Sequence, residues 1–326
     1  MTFSLTVLSL AKAGAAIGPI AAAGAFAVLR RLRLRRTAWM GLSLFAAAYS
    51  LCVWTFLIEP RSLAVRELEV GATQWTGPPL RIGVISDTHV GGPHMSPERM
   101  RRIVARMNRE RPDIVVLLGD YAPGHVPAER RSEADRATVL KGVSAFAGLD
   151  APLGVVGVIG NHDAWYDERQ IAGALREAGV TVVDNGAVEI KRSGASFWIA
   201  GLADQLSRLH EPSIGLTMRE VPPDAPVLLL THFPDPWAEA PERIALTLAG
   251  HTHCGQVVLP VVGRLAHASA GSKRWPCGLY RDGERQLYVS GGVGVSMLPV
   301  RFGAPPEIAL ITLRSQPLLA PASPSQ

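Results

Sequence analysis

The residues of this sequence that could do chemistry are carboxylate, imidazole and amide side chains that directly follow short apolar runs. Five runs end this way, and the polar residues after them are Asp87 and His89, Asp120, Asn161 with His162 and Asp163, His232, and His251 with His253. In open α/β sheets, ligands bind beyond the carboxyl ends of the strands. We therefore expect these side chains to converge in space, although they lie far apart in the chain.

Carboxylate, imidazole and amide oxygen ligands together suit divalent ions such as Mn, Fe or Zn. A carboxylate shared by two ions can hold them about 3.5 to 4 Å apart, which fits a phosphoryl group. Such a pair lowers the pKa of a bridging water and stabilises the charge that builds during in-line attack. The glycines before Asp120, Asn161 and His251 would let the backbone approach closely. These features predict a site for two divalent metal ions that acts on phosphoesters.

The same residues form five short blocks that resemble those of the calcineurin-like metallophosphoesterases. The blocks are DTH at 87–89, GD at 119–120, GNHD at 160–163, TH at 231–232 and GHTH at 250–253. Each block alone has little specificity, but all five occur here in the family's order. The resemblance implies a metal-dependent phosphoric ester hydrolase with the fold of that family.

The resemblance also implies a role for each residue. Asp87, His89 and His253 would hold one metal, Asn161, His232 and His251 would hold the other, and Asp120 would bridge them. His162 would bind a phosphate oxygen or protonate the leaving group, and Asp163 would orient His162. Cys254 departs from the family pattern, which usually has glycine there. Its side chain would either narrow the pocket or contact a metal.

The elements that must position these residues predict an α/β fold of two packed mixed β-sheets flanked by helices. In the first half, apolar runs at 80–86, 113–119 and 153–160 are strands, and Ser96 and Pro97 begin a helix between the first two. A second helix is predicted at 168–177, and short strands at 65–70 and 180–183. The second half predicts a second sheet, with a hairpin over 188–202 that turns at Ser193 and Gly194, and strands at 226–232, 244–251, 256–260, 286–290 and 307–313.

Residues 1–60 are predicted to form a membrane anchor ahead of a catalytic domain at 61–313 and a Pro- and Ser-rich disordered tail at 314–326. The run 37–58 has no charged residue and reaches about 33 Å as a helix, enough to cross a bilayer. The run 3–29 contains Lys12 and Pro19, and it either spans the membrane or lies on it. One or two N-terminal transmembrane helices are thus expected.

A basic segment between the two apolar runs predicts the orientation of the anchor. Its arginines are Arg30, Arg31, Arg33, Arg35 and Arg36. Short loops this basic stay in the cytoplasm, so we expect a cytoplasmic (inner) membrane protein whose catalytic domain lies on the periplasmic or outer side. These five arginines equal the whole net charge of +5. The remaining chain is therefore near neutral, which argues against nucleic-acid binding.

The function predicted from these features is hydrolysis of a phosphodiester or pyrophosphate bond by a metal-bound hydroxide. A lipid-linked or envelope substrate is favoured, because tethering raises the local concentration of membrane substrates. The stretch 278–308 and the anchor resemble the membrane-linked bacterial phosphodiesterase branch, which includes the UDP-2,3-diacylglucosamine pyrophosphatases of lipid A synthesis. Such an enzyme should face the cytoplasm, in conflict with the arginine loop. The sequence is also compatible with a phosphodiesterase for nucleotides and with a non-catalytic metal-binding membrane protein.

Several further residues are given alternative or minor roles by the sequence. Arg301 is either a contact for phosphate or sugar or an ordinary surface arginine, and Cys254 could pair with Cys277 outside the cytoplasm. Four histidines that follow no strand are expected to be structural or exposed, namely His94, His125, His210 and His267. The oligomeric state is left open.

Overall fold

Two six-stranded β-sheets pack face to face, with helices on their outer sides, as the sequence predicts. The computed structural model describes residues 2–31, 36–192 and 194–316. The first sheet is built from the first half of the chain and its last strand. The second sheet is built from residues between them.

The first sheet carries the parallel strands that lead to most of the polar residues. Its strands in spatial order are β1 (Ala64–Ala72), β14 (Glu307–Ser315), β2 (Leu80–Ile85), β3 (Ile114–Leu117), β4 (Val155–Gly157) and β5 (Val180–Val182). Strands β2 to β5 are parallel, and β14 runs antiparallel to β2. Its outer face is covered by α3 (Pro97–Arg109), α4 (Glu133–Val143) and α5 (Asn161–Glu177).

The second sheet supplies the remaining polar residues. Its strands in spatial order are β12 (Gly278–Asp282), β13 (Arg285–Val289), β9 (Leu246–Ala249), β8 (Val227–Leu230), β7 (Ala195–Gly201) and β6 (Gly186–Arg192). Strands β6 and β7 form the predicted hairpin, and Ser193 of its predicted turn lies outside the described residues. Two short helices, α6 (Ile214–Met218) and α7 (Ala270–Arg274), belong to this half of the chain. A small hairpin of β10 (Val258–Leu259) and β11 (Gly263–Arg264) projects after β9.

The core between the sheets explains why the central strands are continuous apolar runs. Successive side chains of a strand point to opposite faces. In β3, Val116 faces the second sheet, whereas Val115 faces the helices. In β8, Leu228 faces the first sheet, whereas Leu229 packs against Trp237 and Trp275 on the outer face of the second sheet. Both faces of these strands are therefore buried, as in parallel sheets covered on both sides.

The structure differs from the sequence-based expectations at several elements. Strand β14 does not join the second sheet but pairs between β1 and β2 in the first. Residues 314 and 315, predicted to be disordered, end that strand, and the rest of the predicted tail, 317–326, lies outside the described residues. The predicted helix 168–177 begins earlier, at Asn161, and bends at Asp167. The helix α4 was not predicted, although Ser132 caps it through its hydroxyl.

The anchor consists of two helices, each long and apolar enough to cross a membrane. Helix α1 (Thr2–Arg31) packs against α2 (Arg36–Val53), which continues through a π-helical turn (Trp54–Ile58) and a 3-10 turn (Glu59–Arg61). The ring of Phe26 lies 5.4 Å from that of Trp39 between the helices. Apolar side chains such as Ile20 and Leu44 are exposed on their outer surfaces. Arg33 and Arg35 of the basic segment lie outside the described residues.

The anchor enters the first sheet at the edge where the carboxyl ends of β2 to β4 lie. Ala64 at the start of β1 pairs with Glu307, and Ala309 two residues further along β14 pairs with Val84 near the end of β2. Glu59 is buried, and its carboxylate accepts a hydrogen bond from the N–H of Ala304 at 2.8 Å. The last residues of the predicted anchor are thus packed against the loop that precedes β14.

Candidate metal centre

One group of ligand-type side chains comes from the ends of β2 and β9. Asp87, His89 and His253 are all buried, and their ligand atoms lie within 4.8 Å of one another. The Nε2 atoms of His89 and His253 are 3.0 Å apart, and Nε2 of His253 is 3.5 Å from Oδ1 of Asp87. The structure therefore brings together the three residues that the sequence predicted as one ligand set.

A second group forms at the ends of β4, β8 and β9. The Oδ1 atom of Asn161 lies 3.0 Å from Nε2 of His232 and 3.0 Å from Nδ1 of His251. The two imidazole nitrogens are 3.3 Å apart. These three residues are the second predicted ligand set.

Asp120, which follows β3, lies between the two groups. Its Oδ2 atom is 3.3 Å from Nε2 of His232 and 3.8 Å from Nε2 of His89. One carboxylate oxygen thus faces both sets, which is the geometry that a bridging ligand requires.

The backbone at these residues is held in an unusual conformation. Five of the seven have positive φ angles, although none of them is glycine: Asp87 (53°), His89 (44°), Asp120 (58°), His251 (69°) and His253 (49°). Such conformations cost free energy and persist where the surrounding structure enforces them, which is typical of functional sites. All five lie within four residues of the end of a strand.

Two of the glycines that precede the ligands are required by close packing. A Cβ atom at Gly160 would lie 2.4 Å from Oδ1 of Asp120, and one at Gly250 would lie 2.1 Å from Oγ of Ser86. Neither position has room for a side chain. The expectation that glycines allow a close backbone approach is therefore confirmed at these two positions.

Backbone carbonyl groups set the tautomers of two histidines. Nδ1 of His89 lies 3.1 Å from the carbonyl oxygen of Ala122, and Nδ1 of His232 lies 2.7 Å from that of Leu118. Since a carbonyl can only accept, each Nδ1 carries the proton and donates it. The Nε2 lone pairs are thereby directed into the cluster, as metal-bound histidines require.

The charge state of the cluster fits divalent cations. Burial lowers the pKa of His89 and of His251 to about 3, so that both rings are neutral and keep a lone pair for a ligand bond. Burial also raises the pKa of Asp87 to about 7. Burial lowers the pKa of His232, but the carboxylate of Asp120 outweighs it and raises that pKa to about 10. Without an ion, the second proton of His232 therefore compensates the buried negative charge of Asp120. A divalent ion would supply positive charge in its place, and its binding would release that proton and free the Nε2 lone pair.

His162 lies beside the cluster with one ring nitrogen directed toward it. Its Nδ1 is 2.9 Å from the carbonyl oxygen of Gly124 and donates to it, which leaves Nε2 facing Asp120 at 3.9 Å. The ring packs against the rings of His125 and Trp165, both at 4.9 Å between centroids. Sequence reasoning treated His125 as an isolated residue and did not single out Trp165, although Trp165 lies three residues after His162 in the same helix.

The predicted role of Asp163 is wrong, because its carboxylate does not contact His162. Asp163 is completely buried, and both oxygens accept hydrogen bonds from backbone N–H groups. The donors are Asp120 (2.9 Å) and Gly160 (3.0 Å) to Oδ2, and Tyr121 (2.8 Å) and Ala122 (2.8 Å) to Oδ1. Asp163 thus joins the turn after β3 to the start of α5 and holds Asp120 and Asn161 in place.

Replacing Asp163 with asparagine should destabilise the protein strongly. The amide NH₂ group would face two N–H donors and leave them without an acceptor in a buried site. Two buried N–H donors without an acceptor, at about 1 to 3 kcal/mol each, predict a decrease of about 2 to 6 kcal/mol in the free energy of unfolding. Denaturant-induced unfolding of the purified protein would measure it, with Asp167→Asn at an exposed position of the same helix as the control. Equal stabilities of the two variants would contradict this role.

Arg301 is neither a surface arginine nor available to a substrate. It is completely buried and donates to main-chain carbonyl groups of its own loop. Nε donates to Gly294 at 3.0 Å, and the two terminal nitrogens donate to Ala304 and Gly291, each at 2.8 Å. A terminal nitrogen also lies 3.3 Å from Nδ1 of His253. Arg301 therefore shapes the loop that supports His253.

Cys254, which follows His253 of the cluster, forms a disulfide bond with Cys277. The sulfur of Cys254 is therefore bonded to Cys277 and is not a free thiol that could bind a metal. The disulfide that the sequence left open is present. The other histidines behave as expected for residues outside the ligand sets. Nε2 of His94 lies 3.2 Å from the carbonyl oxygen of Pro299, and His210 and His267 are exposed.

Comparison with known proteins gives one family. The family model described as calcineurin-like phosphoesterase matches residues 80–255 of this chain, which is more than half of its 326 residues and includes every ligand-type residue of the cluster.

Three relatives illustrate the similarity. The protein named uncharacterized metallophosphoesterase YkuE of Bacillus subtilis is 29% identical over 72% of this chain and 79% of its own length. The transmembrane protein with metallophosphoesterase domain of Danio rerio is 30% identical over 72% of this chain, and the match spans 53% of its own length. Phosphodiesterase YaeI of Escherichia coli is 30% identical over 63% of this chain and 71% of its own length.

Proposed function

Because the chain belongs to the calcineurin-like phosphoesterase family, we propose that it is a membrane-anchored two-metal hydrolase of phosphodiester or pyrophosphate bonds. The observation that supports this best is the pair of ligand sets that meet at Asp120. The metals are Mn, Zn or Fe, the ions that suit this mixture of oxygen and nitrogen ligands.

The proposed ligand assignment follows the two groups of side chains. Asp87, His89 and His253 hold one ion, and Asp120 bridges it to the second. The second ion is held by three further residues, Asn161, His232 and His251. When bound, the two ions would lower the pKa of a shared water and neutralise the charge that builds on the phosphoryl oxygens.

His162 is the proposed acid that assists the leaving group. Because its Nδ1–H is already donated to Gly124, protonation at Nε2 gives an imidazolium that can release that proton toward the cluster. Transfer of the proton to the leaving oxygen avoids the expulsion of an alkoxide. General acid catalysis of this kind contributes about 10²- to 10⁴-fold to the rate.

A lipid-linked or envelope substrate is proposed because of where the anchor meets the domain. The chain leaves the helix pair and enters the first sheet at the edge that also carries Asp87 and Asp120. A substrate held in the bilayer would need to travel little to reach this edge. A substrate diffusing in bulk water gains nothing from the arrangement.

An activity screen with metal analysis tests the proposed function. The full-length protein, reconstituted in lipid nanodiscs, should contain two divalent ions per chain. It should hydrolyse phosphodiesters or pyrophosphates faster than matched monoesters, and a diester in the bilayer faster than its short-chain soluble analogue. Equal rates on the bilayer and soluble diesters would refute the lipid substrate, and the absence of turnover with both ions bound would favour a non-catalytic metal-binding protein.

The catalytic domain is proposed to lie on the periplasmic or outer side of the cytoplasmic membrane. The basic segment 30–36 supports this, since short basic loops remain inside. The disulfide bond between Cys254 and Cys277 supports it too, since such bonds persist in oxidising compartments. This orientation disfavours a lipid A pyrophosphatase, whose substrate is made in the cytoplasm.

Thiol labelling in spheroplasts tests the orientation. In a Cys52→Ala background, Asp150→Cys places a thiol at an exposed position of the catalytic domain, and Thr37→Cys places one beside the basic segment. A membrane-impermeant maleimide should label position 150 in intact spheroplasts and position 37 only after lysis. The reverse pattern would place the domain in the cytoplasm.

A further inference from the structure

An exposed apolar surface lies on the catalytic domain, made by the hairpin β10–β11 and the loop after β13. We call it the apolar rim, and its members are Val261, Val262, Leu265, Met297 and Leu298. Val261 is fully exposed, and Met297 is 75% exposed. Large exposed apolar patches mark sites of contact with proteins or membranes.

The two segments of the apolar rim are held together as one unit. The side-chain amide of Gln256 donates to the carbonyl oxygens of Leu298 at 3.2 Å and Val300 at 3.1 Å. The N–H of Val258 donates to the carbonyl oxygen of Phe302 at 2.7 Å. The exposed side chains therefore project from a supported scaffold.

The backbone at the tip of the hairpin is strained at Val261, whose side chain is exposed. Val261 has a φ angle of 70°. A β-branched residue is rare in this region because its Cβ substituents crowd the backbone, whereas glycine would fit without strain. A fully exposed valine that gains no packing within the protein and strains its backbone is consistent with a contact outside it.

The apolar rim adjoins the point where the helix pair reaches the catalytic domain. Ser4, in the first turn of α1, donates its hydroxyl to the carbonyl oxygen of Met297. The N–H of Arg301 donates to the carbonyl oxygen of Thr55, near the end of the second helix, at 3.1 Å. One loop thus contacts both helices at the end where they would leave the bilayer.

The apolar rim also adjoins the metal centre. The hairpin begins only a few residues after the ligand His253, and Arg301 links the loop after β13 to the same ligand. If the apolar rim contacts the bilayer, that contact therefore also sets the distance between the bilayer and the cluster.

We propose that the apolar rim inserts into the leaflet on the domain side of the membrane, at the boundary between headgroups and acyl chains. Binding at this boundary strengthens with the apolar area that is buried there. Insertion would seat the metal centre against the lipid headgroups. The proposal rests on the proposed function only in that the N-terminal helices span the membrane.

Fluorescence quenching in vesicles tests the insertion. In the Cys52→Ala background, Val261→Cys carries an environment-sensitive fluorophore, and Asp150→Cys, before β4 at the opposite end of the sheet, is the control. The full-length protein is reconstituted in phosphatidylcholine and phosphatidylglycerol vesicles. The label at 261 should be blue-shifted and quenched at least 3-fold more by lipids with a bound spin label than the label at 150.

Two results would overturn the proposal. One is a label at 261 that aqueous iodide quenches as strongly as the label at 150. The other is a blue shift at 261 that disappears when the protein-to-lipid ratio is lowered, because that dependence would identify a second copy of the chain as the occupant.

A paired charge substitution separates the apolar rim from the chemistry. Val261→Asp with Val262→Asp should lower turnover of a bilayer-held phosphodiester about 10-fold or more relative to a soluble diester, and leave soluble turnover unchanged. The fluorescence result does not require turnover, so it decides insertion even if the wild type hydrolyses neither substrate and the proposed function fails. Quenching at 261 with an unchanged ratio of rates would leave insertion standing and refute the lipid-linked substrate.

Discussion

The His162→Ala variant should lose about 10²- to 10⁴-fold in turnover and keep both metal ions. The imidazole lies beside the cluster, and its Nε2 is 3.9 Å from Oδ2 of Asp120. Its loss removes the proton donor but none of the proposed ligands. Turnover of a diester would be measured with metal content on the same preparation.

The leaving group makes the test of His162 specific. An alkyl leaving group needs a proton, whereas p-nitrophenolate leaves readily without one. The loss in His162→Ala should therefore be much larger for an alkyl diester than for a p-nitrophenyl diester. His210→Ala, at an exposed position outside the cluster, is the matched control and should retain wild-type turnover. Equal losses on both substrates would contradict the assignment of His162 as the acid.

The Asp120→Asn variant should lose at least one metal ion per chain and about 10³-fold or more in turnover. The bridging oxygen faces both ligand sets, and an amide is a weaker and uncharged ligand. The loss of several kcal/mol of stabilisation of the transition state, at about 1.4 kcal/mol per tenfold, gives this magnitude. Elemental analysis after dialysis would count the ions, and addition of Mn²⁺ in excess should restore little activity.

Asp184→Asn is the matched control for Asp120→Asn. Asp184 follows β5 of the same sheet, and its carboxylate accepts a hydrogen bond from the N–H of Ile159 at 3.2 Å. Burial raises the pKa of Asp184 to about 6. The side-chain oxygen of asparagine can accept the same hydrogen bond. Metal content should be unchanged in this variant. Two tightly bound ions in Asp120→Asn would contradict the bridging assignment.

The tertiary structure gives two charged residues roles that differ from the predicted ones. Asp163 follows His162 directly, and the sequence suggested that the two act together. The carboxylate instead accepts four backbone N–H groups. The sequence suggested Arg301 as a contact for phosphate, but its guanidinium group donates its hydrogen bonds to carbonyl groups of its own loop. Both residues position the centre without reaching a substrate.

The ligand-type residues and the elements that carry them were readable from the sequence because the signals are local. Each polar residue lies within four residues of the end of a strand, so the position along the chain predicts the position in the fold. Ser96 and Pro97 begin α3 as expected, because a hydroxyl cap and a proline act within one turn. The uncharged run 37–58 likewise identified a helix from its composition alone.

Only the tertiary structure decided which sheet β14 joins and which groups Asp163 and Arg301 contact. It also decided that the N-terminal helices meet the rest of the chain beside the cluster. An apolar run shows that both faces of a strand are buried, but β14 and β9 share that pattern and lie in different sheets. Pairing between distant strands and the hydrogen bonds of buried charges depend on which groups meet in space. The order of residues along the chain does not state which distant groups come into contact.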